Sequence, residues 1–468
     1  MNIVDIAIII VFVVVNIIVA TRTRCNSSSL NIFATGDGKK FSDITIVATI
    51  VATLCSGSIF VNGIEQTYTQ GLVYIIAKLV ATPISYVLFT MLVASRVCKL
   101  QTLSLFEWFG MIYGDKLRAV LGLSEVSCRI GFLAIQMHIC GKAAMIMFHC
   151  SDGIYVFVTC IFASVFVIYS TFGGIIAVSL TDVVQFIFLG CTIPALLIYM
   201  LYVNNWPLLS LVVGNPTMNL CDAFGSSDAI VATLALWIKS GFPWHSTPMY
   251  QRAIMCKSPK RAIRLFLIAT SVYLVIKLSI SLIGLEIYRE NPNLSQHDVL
   301  LFLMNKYYFV GLHGILFVCL VSLAISTADS TLHAITVVIT NDVLHTVDKR
   351  LCTRSVAVLV SFIVGAIGVW LTVLNNDIFK LAIKASCFNF PVVSVPMLVT
   401  TLGFKTHKNC IWCGIMCGIF TTATYIIVME DIGSNYSSYA FGPGMLANTI
   451  ALFSSHLIWK YCTQHSHA

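Results

Sequence analysis

The chain has 468 residues, of which 58% are hydrophobic and only 10% are charged, and its formal net charge is +8. Its mean hydropathy is +0.90, and soluble domains carry roughly 25% charged residues. A nucleic-acid-binding protein, a disordered scaffold and a secreted disulfide framework are therefore excluded. The composition predicts an integral membrane protein. Most of the 17 cysteines fall inside apolar runs, where Cys behaves as a small hydrophobe, so no structural metal site is expected.

Thirteen apolar runs are long enough to cross a bilayer as helices, at about 20 residues for each crossing. No connection between them is long enough for a soluble domain, so residues 1–468 are expected to form one all-α membrane domain. In chain order, the predicted spans are 4–20, 43–65, 71–95, 126–149, 153–172, 174–201, 228–250, 263–286, 309–342, 353–374, 377–402, 409–429 and 443–461.

The distribution of basic residues orients these spans. If every run crosses once and the N-terminus faces outside, only Arg289 and Lys306 lie in outside connections, and the other basic loop residues lie inside. Cytoplasmic loops carry the excess of Lys and Arg in membrane proteins. The sequence therefore predicts a multi-pass protein of the plasma membrane (the inner membrane of a bacterium), with its N-terminus out and its C-terminus in.

Two spans are interrupted by small or helix-breaking residues. The span 43–65 contains a small polar patch from Ala52 to Ser58, and the span 228–250 contains Gly241 and Pro243. Transporters often form their binding site from two interrupted helices at matching places in two halves, because backbone groups freed at membrane depth must face protein, ions or water. Each interruption lies in the first of five consecutive spans, which predicts a binding site; close helix packing through Ser and Gly is the alternative.

A second polar stretch lies within the run 309–342. Leu323, Ser326 and Thr327 are spaced so that they share one helix face. Hard cations take oxygen ligands, and a few neutral oxygens suit a monovalent ion that must also be released. The spacing is compatible with a sodium site, although hydroxyls in membrane helices also bond to their own i−4 carbonyl.

Ionisable residues inside predicted spans are functional candidates. Lys239 directly precedes the second interruption, so it is expected either to face a substrate carboxylate or to form a structural ion pair with Asp182 or Asp329. Lys78, Lys142 and Lys277 are expected to extend towards a membrane interface, as long basic side chains often do.

Three segments resemble one known family. The segment 169–185 is similar to its Tyr/Gly-Gly/Ala-Val/Thr-Asp/Gln signature, the segment 326–330 resembles its Ser-Thr-Ala-Asp-Ser stretch, and Gln251-Arg252-Ala253 resembles its Gln-Arg pattern. The chain is therefore similar to the sodium:solute symporter family, which includes proline, choline, sugar and vitamin transporters.

This resemblance implies a leucine-transporter type of fold. Its two inverted five-helix repeats would be 43–201 and 228–402, with the extra helix 4–20 before them and two helices over 409–461 after them. Sodium would be bound by the backbone carbonyls of Ala52, Cys55 and Leu323 and by the hydroxyls of Ser326 and Thr327. Asp182 matches an acidic residue of the sodium pathway. Solute would lie beside Ser56, Gly57, Lys239, Gly241 and Trp244.

The function that follows is sodium-coupled symport of a small organic solute by alternating access, with Na⁺ as the coupling ion, a lipid bilayer as the surroundings and no enzymatic activity. Leu54 stands where the proline symporters have Asp, so weaker or different sodium coupling is expected. Lys239 would repel a quaternary ammonium, so the expected solute is an amino acid such as proline, or another zwitterion or anion. The alternative is a solute-sensing membrane domain that signals to a separate histidine kinase; the end of the chain at Ala468, soon after the last span, favours the transporter.

Overall fold

The computed structural model is helical throughout the part of the chain that it describes, which contains no β-strand. The described residues are 2–22, 29–36, 41–100, 102–148, 152–206, 224–225, 227–242, 246–307, 310–374, 378–431 and 439–465. The helices are α1 (Ile3–Arg22), α2 (Leu30–Thr35), α3 (Asp43–Leu54), α4 (Gly57–Ile76), α5 (Thr82–Phe89), α6 (Ser95–Val97), α7 (Leu105–Tyr113), α8 (Asp115–Phe148), α9 (Asp152–Val203), α10 (Ser227–Gly241), α11 (Thr247–Met255), α12 (Pro259–Glu290), α13 (Val299–Lys306), α14 (Leu312–Val338), α15 (Arg354–Leu374), α16 (Ile378–Asn389), α17 (Val395–Thr401), α18 (Lys408–Asp431) and α19 (Phe441–His465).

Eight helical stretches of the described residues are long and apolar enough to cross a membrane. Two shorter apolar helices, Ile3–Val19 and Asp43–Leu54, accompany them. The predicted all-helical membrane architecture is therefore confirmed at this level. The eight stretches are Gly57–Val97, Asp115–Met145, Gly173–Val203, Pro259–Glu290, Leu312–Thr346, Arg354–Leu374, Ile378–Thr401 and Lys408–Asp431.

Glycines mark two boundaries between predicted spans. Gly71 (φ 50°, ψ −124°) kinks α4 where the predicted spans 43–65 and 71–95 meet. Gly174 (φ 61°, ψ −163°) kinks α9 between the predicted spans 153–172 and 174–201. A Cβ atom at Gly174 would lie 2.9 Å from the carbonyl oxygen of Phe33. Positive φ and this close approach both require glycine, so the chain can turn here without a long loop.

Helix α14 runs through the centre of the molecule. In its most apolar stretch of 18 residues, 83% of the residues are buried, whereas only 33% are buried in the most apolar stretches of α15 and α18. It packs against α1, α3, α4, α8, α9, α11 and α15. Polar side chains on α14 consequently lie inside the protein, away from lipid.

Helix α8 begins at Asp115, well before the predicted start at residue 126. The charged residues of this first turn lower its hydropathy, which is why the apolar pattern alone does not include them. Arg118 is nevertheless buried, because its Nε donates to Asp342 Oδ1 at 2.8 Å. The predicted connection 287–308 also contains structure, since it includes α13.

The outer surface of the bundle is apolar. Ile187 on α9, Trp370 on α15 and Phe420 on α18 are 60%, 61% and 73% exposed. Large exposed apolar surfaces are rare on soluble monomers. This surface is the one expected of a protein surrounded by lipid.

Candidate functional site: two broken helices around a buried carboxylate

The first predicted interruption lies between α3 and α4. The amide of Cys55 donates to Val51 O at 2.8 Å and ends α3. Cys55 (φ −90°, ψ 87°) and Ser56 (φ −89°, ψ 159°) are not helical. The hydroxyl of Ser56 then accepts from the amide of Ile59 at 3.1 Å, so Ser56 caps α4.

This break releases backbone carbonyls inside the protein. Among the described residues, no backbone hydrogen bond outside the helices is accepted by the carbonyl of Ala52 or of Cys55. Both residues are buried, with exposures of 0% and 1%. Free carbonyl oxygens at this depth can bind a cation or an ordered polar ligand.

The break packs against the polar stretch of α14. A Cβ atom at Gly57 would lie 3.1 Å from Ala324 Cβ. On the other side of the break, the hydroxyl oxygens of Thr53 and Ser330 are 3.2 Å apart. Ser326 lies on α14 between these two contacts. The structure thus brings the first interruption and the predicted oxygen face of α14 together.

The two predicted hydroxyls on α14 have different partners. Ser326 Oγ donates to Asp182 Oδ1 at 2.6 Å. Thr327 Oγ1 donates to its own i−4 carbonyl, Leu323 O, at 3.2 Å, which is the alternative that the spacing left open. A hydroxyl that donates still has lone pairs, so both oxygens can also accept a cation.

Asp182 is the centre of a buried polar network. Its Oδ2 accepts from Thr49 Oγ1 on α3 and from Arg252 Nη2 on α11 at 3.3 Å. The same Arg252 nitrogen donates to Ser330 Oγ at 2.6 Å. Asp182 and Arg252 are both 0% exposed. The network joins α3, α9, α11 and α14 through one ion pair.

This network was only partly visible in the sequence. Asp182 forms its ion pair with Arg252, and the side chain of Lys239, which one alternative placed beside Asp182 or Asp329, lies outside the described residues. In the sequence, Arg252 is notable only as part of a family pattern, and no pattern singled out Thr49. The available signal was spacing: Thr49 and Thr53 on α3, like Ser326 and Ser330 on α14, are polar residues one turn apart in apolar helices.

The second predicted interruption separates α10 from α11. Helix α10 ends at Gly241 and α11 begins at Thr247, so the structure breaks this span where Gly241 and Pro243 predict it. The carbonyl of Phe242 accepts from Ser85 Oγ, which holds the end of α10 beside α5. Trp244 lies outside the described residues, as does the side chain of Lys239.

One family of known proteins matches most of the chain. The sequence model of the sodium:solute symporter family matches residues 33–418. The chain belongs to the sodium:solute symporter family. It is therefore a transporter and not an enzyme, and sodium is its coupling ion. Residues 33–418 include both interruptions, Asp182 and the polar stretch of α14.

Solved structures share the fold. The chain is similar to a Na⁺-coupled sialic acid symporter in a substrate-bound outward-open state, with a TM-score of 0.76, 16% identity and coverage of 96% of this chain and 97% of that one. It is also similar to MhsT in complex with L-phenylalanine (TM-score 0.52, 15% identity, 88% and 97% covered).

A third match is the manganese transporter of Eremococcus coleocola (TM-score 0.57, 11% identity, 92% and 94% covered). No curated protein sequence matches the chain. At these identities, the solved structures show a common leucine-transporter-like fold.

Proposed function

We propose that the protein imports a small organic solute together with sodium across the plasma membrane, by alternating access through thirteen transmembrane helices. In this proposal the N-terminus is outside and the C-terminus is inside. The inverted repeats are 43–201 and 228–402, and the helices over 4–20 and 409–461 surround them within the single domain 1–468. The observation that carries the proposal is the contact between the α3–α4 break and the polar stretch of buried α14, at Gly57 and Ala324.

The proposed sodium site lies between these two elements. Its ligands are the carbonyl oxygens of Ala52, Cys55 and Leu323 and the hydroxyl oxygens of Ser326 and Thr327. Neutral oxygens of this kind bind a monovalent cation weakly enough for release. All five residues are on α14 or at the C-terminal end of α3, so an ion there would join two separate helices.

Asp182 is proposed to lie on the ion pathway. It accepts from Ser326 Oγ, so its carboxylate is one hydrogen bond away from a proposed sodium ligand. A fixed negative charge at this position attracts a cation through the low-dielectric interior. Arg252 compensates that charge when no ion is near.

The proposed solute site adjoins both breaks, at Ser56, Gly57, Lys239, Gly241 and Trp244. The solute in this proposal is an amino acid such as proline, or another zwitterion or anion. Sodium bound at the first break would order that part of the site, and movement of the helices would then open it to the inside. Each positive charge that moves inward gains about 2.3 kcal/mol per 100 mV of membrane potential.

The test is uptake into proteoliposomes that contain the purified protein, with an inward sodium gradient and an inside-negative potential. A panel of amino acids, sugars, amines and carboxylates is offered, with potassium in place of sodium as the ionic control. At least one solute should accumulate only with sodium. S326A should lower this uptake, whereas T336V should not, because Thr336 is a buried α14 residue whose hydroxyl has no partner among the described residues. Absence of sodium-dependent uptake across the panel would refute the proposal.

A further inference from the structure

A second buried cation lies near the first break, on α12. Lys277 is only 2% exposed, so the expectation that it extends to a membrane interface is wrong. The reason is its orientation: a Cβ atom at Gly63 of α4 would lie 3.4 Å from Lys277 Nζ. The ammonium group therefore points into the protein, against the second half of the first broken helix.

This ammonium has no counter-ion in the described part of the chain. None of the ion pairs found among the described residues involves Lys277 Nζ. Lys277 Nζ does lie over the ring of Tyr74, 6.0 Å from its centroid, in a cation–π arrangement. A buried charge is costly unless it is paired, and intramembrane lysines that remain buried are usually functional.

A second lysine faces the same ring. Lys78 Nζ is 5.5 Å from the centroid of Tyr74. Lys78 lies in a π-helical turn, Ala77–Ala81, between α4 and α5, and such turns are frequent at functional sites. Its Nζ also donates to Ser240 Oγ at 3.1 Å, at the end of α10. The two lysines thus lie between the second half of the first broken helix and the end of the second.

The surroundings of Lys277 suit an organic group as well as a charge. One turn before Lys277 on α12, the ring of Tyr273 packs edge to face with that of Tyr86, with centroids 5.4 Å apart. Aromatic surfaces beside a few convergent polar groups are typical of small-molecule sites.

We propose that the transported solute carries a carboxylate group and that Lys277, assisted by Lys78, binds it. This inference rests on the proposed transport function and adds the substrate class. The carboxylate would supply the negative charge that Lys277 lacks, and charge-assisted hydrogen bonds of this kind are among the strongest. The rest of the solute would contact the Tyr86 and Tyr273 rings.

The test compares organic acids with their own derivatives in which an amide or ester replaces the carboxylate. The thermal unfolding midpoint of the purified protein is measured in sodium chloride with L-proline, L-lactate, pyruvate and N-acetylneuraminate, and then with prolinamide, lactamide, pyruvamide and the methyl ester of N-acetylneuraminate. At least one acid should raise the midpoint and its derivative should not. K277M should abolish this shift, and K78M should reduce it severalfold. K142M is the matched control, because Lys142 is an exposed lysine within α8, and it should behave like the wild type.

A second readout separates binding from a structural role. If Lys277 serves a ligand, K277M without ligand should unfold at the same temperature as the wild type or a higher one, because an unpaired buried charge is removed. A lower midpoint for K277M without ligand would overturn the proposal. An acid that stabilises K277M as strongly as the wild type would also overturn it, and so would the absence of a shift with every acid.

The outcomes also separate this proposal from the proposed function. Sodium-driven uptake of a neutral or cationic solute, with no binding of the acids, refutes carboxylate recognition and leaves sodium symport intact. Binding of an acid that K277M abolishes, with no sodium-driven uptake of that acid, supports carboxylate recognition and refutes symport.

Discussion

Two basic side chains of the described residues, those of Arg252 and Lys277, are at most 2% exposed, and their surroundings differ. Arg252 pairs with Asp182 at 3.3 Å and donates to Ser330 at 2.6 Å. Lys277 forms no ion pair among the described residues, and its ammonium lies 6.0 Å from the centroid of the Tyr74 ring. Buried charges are normally paired. The comparison indicates that Arg252 is part of the resting structure, whereas the ammonium of Lys277 is held ready for a partner from outside the chain.

The two regions also differ in the role that we propose for each of them in transport. Around Arg252, α14 contributes Ser326, whose hydroxyl donates to Asp182, and Ser330, whose hydroxyl accepts from Arg252. Around Lys277, α12 and the turn that carries Lys78 face the second half of the first broken helix. One broken helix thus contacts the proposed sodium region on one side and the proposed solute region on the other, which is the geometry that the proposed coupling requires.

The largest expected effect is on the paired cation. R252M leaves the Asp182 carboxylate buried without a counter-ion, which should destabilise the protein by about 3–5 kcal/mol. The thermal unfolding midpoint in detergent should fall markedly, and the double variant D182N/R252M should recover part of the loss. D43N serves as the control, because Asp43 pairs with Arg261 at 2.8 Å at a partly exposed site; it should unfold like the wild type. Equal unfolding midpoints for R252M and the wild type would refute the claim that the Arg252 ion pair stabilises the structure.

A pair of glycine substitutions sharpens the division into two regions. In G57A the new Cβ would lie 3.1 Å from Ala324 Cβ, and in G63A it would lie 2.7 Å from Ile280 Cγ2 and 3.4 Å from Lys277 Nζ. Overpacking of this kind costs roughly 1–3 kcal/mol. G57A should raise the sodium concentration needed for half-maximal stabilisation, and G63A should weaken stabilisation by an organic acid. If each variant changes the half-maximal sodium concentration and the stabilisation by the acid to the same extent, the two regions are not separate sites.

Removal of a single sodium ligand should have a smaller effect. S326A should raise the half-maximal sodium concentration about tenfold, which corresponds to about 1.4 kcal/mol. The measurement is the unfolding midpoint as sodium replaces potassium at constant ionic strength. T336V, on the same helix, should keep the wild-type sodium dependence. A normal sodium dependence in S326A would exclude this hydroxyl from the site.

The smallest effect is expected for the unpaired cation without ligand. K277M should leave the unfolding midpoint unchanged or slightly higher, because it removes a buried charge that has no described acceptor. Measured in the same buffer, R252M should lower the unfolding midpoint and K277M should not, so one experiment tests the difference between the two cations. A loss in K277M as large as that in R252M would show that Lys277 has a structural partner.

Hydropathy predicted the positions of several long helices closely. The predicted spans 263–286, 353–374 and 409–429 lie within or close to α12, α15 and α18, because the thickness of the bilayer fixes the length of an apolar run. The α3–α4 break was also predictable. Small polar residues in the middle of an apolar helix are rare unless the backbone there has a role.

The pairing of charges was not predictable. Asp182 and Arg252 are separated by 70 residues, and nothing in one sequence relates two distant charges of opposite sign. The burial of Lys277 was missed for a related reason. Hydropathy shows that a lysine lies within a span, but which face of α12 meets α4 depends on the packing of the whole bundle.

The most direct test is the uptake of radioactive sodium into proteoliposomes, measured with and without external solute at an inside-negative potential. We expect an organic acid that stabilises the protein to accelerate sodium uptake, T336V to retain this acceleration and S326A to lose most of it. Sodium uptake that no solute accelerates, or that is the same in S326A and the wild type, would contradict coupling through the α3–α4 break and α14.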